Sequence, residues 1–461
     1  MENMRRKSLR LLAAFTCTAL LVAACSDDEE KSEDTTAGTT ADTTTEDTTE
    51  DTTETTTAVD TAWMVNTDDC IDPDSANAVI EGEIKIGSVM PLTGDTSADE
   101  AFAPVKDGWL AYMDYANEQG ILGDITISAS VEDDQYAAEQ TPGAVSKLID
   151  NGVHLLSGII GSPNNLAVRD TLNEECIPQL ANMTGLPAWG TDAEEYPWTT
   201  GQMIPYDIES RVYMQALKDQ GVTTVGLFYV STDFGLSYAD TVKAEAADFG
   251  LEVVAEETVE PADGAPPVGQ LTTIAAAAPE AIIAVPLGAG CVTFLGALAE
   301  KKAQTPGWTP LTYVTNTCAS SLILRLAGAN ADGMYTSNQL IDVTDPANAA
   351  DPDVQAYLEF MADLGKSDLV TTATAGWTAA EVTVAIIKQA MESPEGLTRA
   401  SIINAARNFN YEPTLGRPGV VYKTNGLDDG FPAESLQVLQ YDADSATFTE
   451  IGDVVTAFES S

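Results

Sequence analysis

The sequence predicts an α/β fold made of two lobes of one architecture, each with a parallel central sheet. Two observations carry the prediction. The first is the stretch Glu83 to Gly94, EIKIGSVMPLTG, an apolar strand that stops at the turn formers Pro91 and Gly94. After it, Val105, Trp109, Met113 and Ala116 recur at spacings of three and four within Phe102 to Gly120, the period of an amphipathic helix. Ile125 to Val131 is the next strand, and strand, helix, strand opens a parallel sheet. The second observation is that the same rhythm returns between 221 and 315. Ligands of such sheets sit beyond the C-terminal ends of the strands, so the turn Pro91 to Ala98 is expected at a binding mouth.

In order, the first lobe reads as strand Ile84 to Val89, helix Pro104 to Gln119 and strand Ile125 to Val131. Helix Ala137 to Asn151 follows, then the near-continuous apolar strand Val153 to Ile160, as expected where both sheet faces are covered. Gly161-Ser162-Pro163 opens helix Leu166 to Glu175, and Ile177 to Leu180 is a short strand. Trp189 to Gly201 shows no periodicity. Helix Tyr206 to Gln220 leads into strand Val222 to Tyr229, a helix reaching Phe249, strand Leu251 to Glu257, helix Leu271 to Ala277 and strand Ala281 to Pro286. Gly288-Ala289-Gly290 turns into helix Cys291 to Lys302, and Leu311 to Thr315 is the next strand. Gly333 to Leu340 is extended, Val354 to Leu364, Gly376 to Met391 and Leu397 to Arg407 are helical, and Pro418 to Tyr422 and Leu436 to Tyr441 are strand-like. The last residues are expected to fray.

With 72 acidic and 21 basic side chains, the chain carries a net charge of −51. That excludes nucleic acid as a partner, because phosphate binding needs Lys and Arg. The acidic surface repels its own kind, and a monomer is expected.

The N-terminus carries the most specific signal. Arg5, Arg6, Lys7 and Arg10 precede the short apolar run Leu11 to Ala24, which ends Val22-Ala23-Ala24-Cys25. This resembles a bacterial lipoprotein signal over 1–24, implying cleavage before Cys25, lipid attachment to its sulfur and a membrane anchor. Ser26 to Asp60 holds 14 Thr and 13 Asp or Glu against one Lys. With no apolar set to offset ordering entropy, it is expected to be an extended tether. Residues 25–82 thus form tether and extension. After the tether, no segment reads as apolar for long enough to cross a bilayer.

Beyond Cys25, four mature cysteines remain, an even number in an exported chain. Of three possible pairings, Cys70–Cys176 and Cys291–Cys318 keep each bond within one lobe. No CxxC occurs, and the spacings suggest no metal site.

EIKIGSVMPLTGDTSA, PVKDGWLAYMDYANEQGILG, DNGVHLLSGIIGSPNN, STDFGLSYAD and AGWTAAEVTVAIIKQA, in this order and spacing, resemble the branched-chain amino-acid substrate-binding proteins of ABC transporters. The resemblance covers about 83–450. It implies a type I periplasmic-binding fold, two Rossmann-like lobes joined by three crossovers and closing over a solute. Mapped here, the first lobe is 83–205 plus 333–412 and the second 206–332 plus 413–461. Import through a membrane permease is implied, with no cofactor.

The same resemblance points to site residues. Ser162, at a strand end and helix start, suits a carboxylate through its hydroxyl and the free N–H groups, although capping alone would explain it. Thr184 is a second hydroxyl donor. Phe102 lies near the family's variable aromatic wall. Phe234 stands where a tyrosine commonly packs on the ligand, and Tyr229 or Tyr238 could supply the lost hydroxyl. Gly288 to Gly290 could approach through backbone groups. Amino-acid binders of this family offer a glutamate after the strand that ends at Thr315, but this chain reads Thr315-Asn316-Thr317-Cys318. A buried ammonium without a charge partner is costly. A small amide, urea-like compound or carboxylic acid suits Asn316 better than a free amino acid, unless an acid enters from elsewhere.

Two other classes compete. The single histidine, His154, sits in an apolar strand and reads as a core residue, which removes Ser–His–Asp, Cys–His and histidine-metal chemistry. Neither GxGxxG nor GxxxxGK[ST] occurs, so an enzyme is not expected. An extracytoplasmic sensor that signals to a membrane receptor or kinase is the alternative to transport.

Overall fold

The computed structural model describes residues 62–94, 97–261 and 264–459. The expected signal, Cys25, the expected tether and part of the turn Pro91 to Ala98 lie outside the described residues. The first described element is a short helix, α1 (Pro73–Asn77). It is followed by β1 (Glu83–Met90), α2 (Ser97–Glu118), β2 (Thr126–Asp133), α3 (Thr141–Asp150), β3 (Leu155–Ser157), α4 (Ser162–Glu174), β4 (Gln179–Asn182), α5 (Ala188–Thr191) and β5 (Thr199–Gly201). These strands form a five-stranded sheet in the order β2-β1-β3-β4-β5, parallel throughout. The second series is α6 (Tyr206–Asp219), β6 (Thr224–Val230), α7 (Asp233–Glu245), β7 (Glu252–Val259), α8 (Val268–Ala277), β8 (Ala281–Val285), α9 (Gly290–Gln304), β9 (Leu311–Val314), α10 (Ser321–Ala327) and β10 (Tyr335–Asn338). Then come α11 (Pro352–Asp363), α12 (Val370–Ala390), α13 (Arg399–Arg407), the hairpin β11 (Asn410–Tyr411) and β12 (Tyr422–Lys423), and finally β13 (Leu436–Asp442) and β14 (Thr447–Val455). The second sheet runs β14-β13-β10-β9-β8-β6-β7.

The expected two-lobed α/β architecture is present, with several corrections. Strand β10 pairs with β9 and β13 in the second sheet. The return to the first lobe therefore follows Asn338 rather than starting at 333, because β9 has a free edge that β10 fills. Residues 413–432 stay with the first lobe: Thr414 N–H and Oγ donate to Glu381 of α12, and Gly430 abuts Gly190. The chain rejoins the second sheet at β13. Segments on either side of the lobe boundary pair, with Ile341 N–H donating to Leu415 O and Arg417 N–H to Gln339 O. The C-terminus is not frayed through 447–455. It is β14, held antiparallel to β13, with the turn Asp442 to Thr447 between them.

Helix α12 begins at Val370, six residues before the expected start at Gly376. Gly376 reads as a boundary, yet its use is packing. A Cβ there would overlap the Val105 carbonyl and lie 2.8 Å from Trp109 N, and a Cβ on Gly108 would overlap the Ala373 carbonyl. Two glycines thus let α2 and α12 cross backbone against backbone. Trp377 fills the rest of the seam with Tyr112, Tyr115 and Tyr357, at ring separations of 4.9, 5.3 and 5.0 Å. This 21-residue helix is long and apolar enough to cross a membrane by length and composition, contrary to the sequence expectation, but most of it is buried in the first lobe.

Both expected disulfides are present. Cys70–Cys176 ties the N-terminal extension to the end of α4, and Cys291–Cys318 joins the start of α9 to the turn after β9. The extension is strapped to the first lobe elsewhere too: Ile80 N–H donates to Leu397 O, Asn408 Nδ2 to Trp63 O and Arg399 to Ser75 Oγ.

Candidate functional site

Between the two sheets lies a cavity of about 150 Å³. Its first-lobe wall is Phe102 and Val105 of α2, Tyr136, Ile160 to Ser162, Met183, and Thr371, Thr372, Thr374 and Ala375 of α12. The second-lobe wall is Tyr206, Phe234, Leu287, Asn316, Thr317, Ala319, Ser320 and Ile323. The chain passages between lobes, at Gln202-Met203 and Asn338 to Leu340, close it. Strand ends and helix starts converge here because both sheets present their C-terminal edges to the same gap.

Four of the six predicted ligand residues line the cavity: Ser162, Phe102, Phe234 and Asn316. Ser162 begins α4, where Gly161 takes φ +103 and any Cβ would strike Asn164 and Tyr136. Its hydroxyl meets that of Thr184 at 2.7 Å. Thr184 does not reach the cavity; it is fully buried behind Ser162 and orients it. Burial pushes the Tyr206 phenol upward, and the nearby Thr184 and Ser162 hydroxyls oppose that shift. Gly288 also falls short. Its left-handed turn (φ +53) delivers its carbonyl to Cys291 N–H at 3.1 Å, and the Leu287 side chain faces the cavity instead. Phe234 is almost wholly buried, with its ring 5.1 Å from that of Tyr206 and edge-on to it. Neither proposed replacement for its missing hydroxyl reaches the cavity: Tyr229 donates to Glu256 and Tyr238 to Glu209.

No charged side chain lines this cavity among the described residues. The acid nearest to Asn316 is Glu209 of α6, and its oxygens are already engaged. Oε1 accepts from Tyr213 OH (2.5 Å), Ser337 Oγ (2.8 Å) and Asn316 N–H (2.8 Å), and Oε2 accepts from Tyr238 OH. Burial pushes this carboxyl upward, and the hydrogen bonds oppose that shift. Glu209 supports the wall from behind. In the first lobe, Asp134 is likewise occupied, by Thr141, Asn164 and Tyr136 N–H.

The cavity's own polar atoms are less well served. Gln202 Oε1, Asn316 Oδ1, Thr317 Oγ1 and Thr371 Oγ1 are buried without a partner. Leaving such atoms unpaired costs about 1–3 kcal/mol each, so a bound solute or water would stabilise them. Gln202, Tyr206 and the α12 threonines escape sequence reading, because the first two lie at a lobe boundary and the last precede an apparent helix start. His154 is half-buried rather than a core residue. Its Nδ1 accepts from Lys85 N–H at 2.9 Å, outside the cavity, and burial pushes its imidazole down.

The comparisons agree with this geometry. The family model described as periplasmic binding protein matches residues 83–446. Among solved structures, a branched-chain amino acid ABC transporter protein from Thermus thermophilus with bound valine is 18% identical with a TM-score of 0.71, over 82% of this chain and 97% of that one. An R. palustris solute-binding protein in complex with benzoate is 18% identical with a TM-score of 0.65, over 82% and 98%. A fatty acid ABC transporter substrate-binding protein from Thermomonospora curvata is 20% identical with a TM-score of 0.67, over 82% and 94%. Among curated proteins, no sequence matches. Two lobes around a solute-sized cavity, matched along most of its length by one family model, place this chain in the periplasmic binding protein family, a family of extracytoplasmic solute-binding proteins.

Proposed function

We propose that this binding protein captures a small uncharged amide with a short apolar body and hands it to an ABC permease for import. The observation that carries the reading is the pairing of an uncharged wall with unpartnered Gln202 Oε1 and Asn316 Oδ1. Those oxygens call for N–H or O–H donors. Among the described residues, an ammonium would find no carboxylate in the wall to offset its desolvation. At the opposite end, Ser162 and the start of α4 offer donors to a carbonyl or carboxylate oxygen. Phe102, Phe234, Ile160 and Leu340 supply the apolar body of the site. A cavity of about 150 Å³ holds a molecule of roughly benzene's size, which sets the scale of the ligand.

Isothermal titration of the full chain with isobutyramide, isobutyrate, urea and valine tests this. Isobutyramide should bind at least about tenfold more tightly than isobutyrate or valine, the equivalent of ~1.4 kcal/mol. Tighter binding of isobutyrate or valine overturns the reading. Asn316→Ala should weaken the preferred probe by about tenfold or more while melting close to the wild type, since its side-chain oxygen has no partner to lose.

The acidic tether and Cys25 fit a lipid-anchored binder held near its permease, which raises its local concentration. Produced in a bacterium that processes lipoproteins, the full chain should partition into detergent and Cys25→Ser should remain aqueous. Equal partitioning of the two removes the anchor.

A further inference from the structure

The Cys291–Cys318 bond lies at the cavity rather than at the periphery. Cys318 ends the turn Asn316–Cys318, and Asn316, Thr317, Ala319 and Ser320 on its two sides all line the cavity. Cys291 opens α9, four residues after Leu287, which also lines it. The bond therefore ties the C-terminal ends of the neighbouring strands β8 and β9, the two edges that carry the second lobe's ligand-facing loops. Both cysteines are fully buried.

Little else fixes the side of the 316–320 turn that faces the ligand. Asn316 Oδ1 and Thr317 Oγ1 have no partners. The backbone bonds of Cys318 N–H to Thr315 O and Ala319 N–H to Asn316 O hold the turn to itself. Among the described residues, its hydrogen bonds to groups outside the turn include the Asn316 N–H bond to Glu209, the Leu324 N–H bond to Ser320 O at the start of α10 and a 3.3 Å contact between the Ser320 and Thr372 hydroxyls, beside the disulfide. Cys70–Cys176 is different: it lies at the end of α4 remote from Ser162, and neither cysteine lines the cavity.

We infer that Cys291–Cys318 is a positioning disulfide that sets the affinity of the cavity, by holding Asn316 and Thr317 in their ligand-bound arrangement before the ligand arrives. The inference rests on the solute-binding reading of the cavity. A loop ordered in advance removes an entropic cost that would otherwise oppose binding. The free energy of that order appears in the ligand's dissociation rate as well as in fold stability.

The test compares two full-chain double variants, Cys291→Ala/Cys318→Ala and Cys70→Ala/Cys176→Ala. Each is titrated with isobutyramide, with hydrogen exchange followed at residues 315–320. The first should bind isobutyramide at least about tenfold more weakly, release it faster and exchange its 316–320 amides faster. The second should melt lower, yet keep its affinity within about twofold of the wild type. A purely structural disulfide would lower melting in both variants and change affinity in neither; that result overturns the inference. If Cys291→Ala/Cys318→Ala does not fold, Cys291→Val/Cys318→Ala restores buried volume for the same comparison. If the wild type binds none of the four small probes, the solute assignment fails, and exchange alone decides. Unchanged protection at 316–320 in the variant, or exchange raised equally throughout the second lobe, then overturns the positioning role, and exchange raised selectively at 316–320 sustains it.

Discussion

Gly376→Ala is expected to lower stability by about 3 kcal/mol or more and to abolish solute binding. Alanine is the better helix former by about 1 kcal/mol, so propensity alone predicts a gain. Sterics decide against it. The new methyl would overlap the Val105 carbonyl oxygen and sit 2.8 Å from Trp109 N, and backbone atoms cannot swing away as a side-chain tip can. Gly108→Ala should behave alike, since its Cβ would lie 2.7 Å from Ala373 C. Relief requires α2 and α12 to separate, which moves Val105, Thr374 and Ala375 in the cavity wall. Gly143→Ala is the control. Gly143 lies in α3, where an added methyl would have nothing within 4 Å, so this change should be neutral or stabilising by about 0.5–1 kcal/mol. Thermal melting with probe titration checks all three. Melting of Gly376→Ala at the wild-type temperature would show that the helices can part freely.

Glu209→Ala is expected to cost about 1–3 kcal/mol, because it strands the Asn316 N–H in a buried site and takes one partner from each of Tyr213, Tyr238 and Ser337, whose hydroxyls keep Val314 O, Thr315 Oγ1 and one another. Glu209→Gln separates shape from charge. Its oxygen can keep the three donors on Oε1, and its amide N–H can donate to the Tyr238 oxygen as a protonated carboxyl would. Burial raises the Glu209 pKa in the folded chain above its unfolded value. The folded state therefore binds more protons, and the stability contributed by this group is present below the unfolded carboxyl pKa. That stability is lost as pH rises through the folded pKa. Relative to wild type, Glu209→Gln should be close to neutral near pH 4 and gain stability toward pH 7. Urea denaturation across that range reads the difference. A variant that loses ground as pH rises would mean that the ionised carboxylate is the form these four donors require.

What can be read in the chain, and what cannot, follows from the range of the forces involved. Strand β1, helix α2 and the repeat of their rhythm announce themselves through local periodicity, and Ser162 through its place between a strand end and a helix start. The missing acid at Asn316 is visible as a plain gap in a run of four residues. Each of these is a short-range property of consecutive side chains. By contrast, α12 reads six residues short because glycine signals a boundary locally, while its actual use is a helix crossing with α2, far away in sequence. Strand β14 escapes notice because an exposed edge strand carries too few apolar residues to show alternation. Its order comes from β13.

Local pattern by itself announced the repeated α/β rhythm of the lobes and the absence of a carboxylate after β9, while of the three possible disulfide pairings the one expected followed only from keeping each bond within a lobe. The tertiary structure alone decided which atoms meet in the cavity. Thr184 backs Ser162 rather than lining the site, Leu287 replaces Gly288, Gln202 and the α12 threonines enter, and Glu209 is sealed behind the wall. Such choices depend on how two separately built sheets face one another, and contacts between distant segments leave no periodic trace in the sequence that makes them.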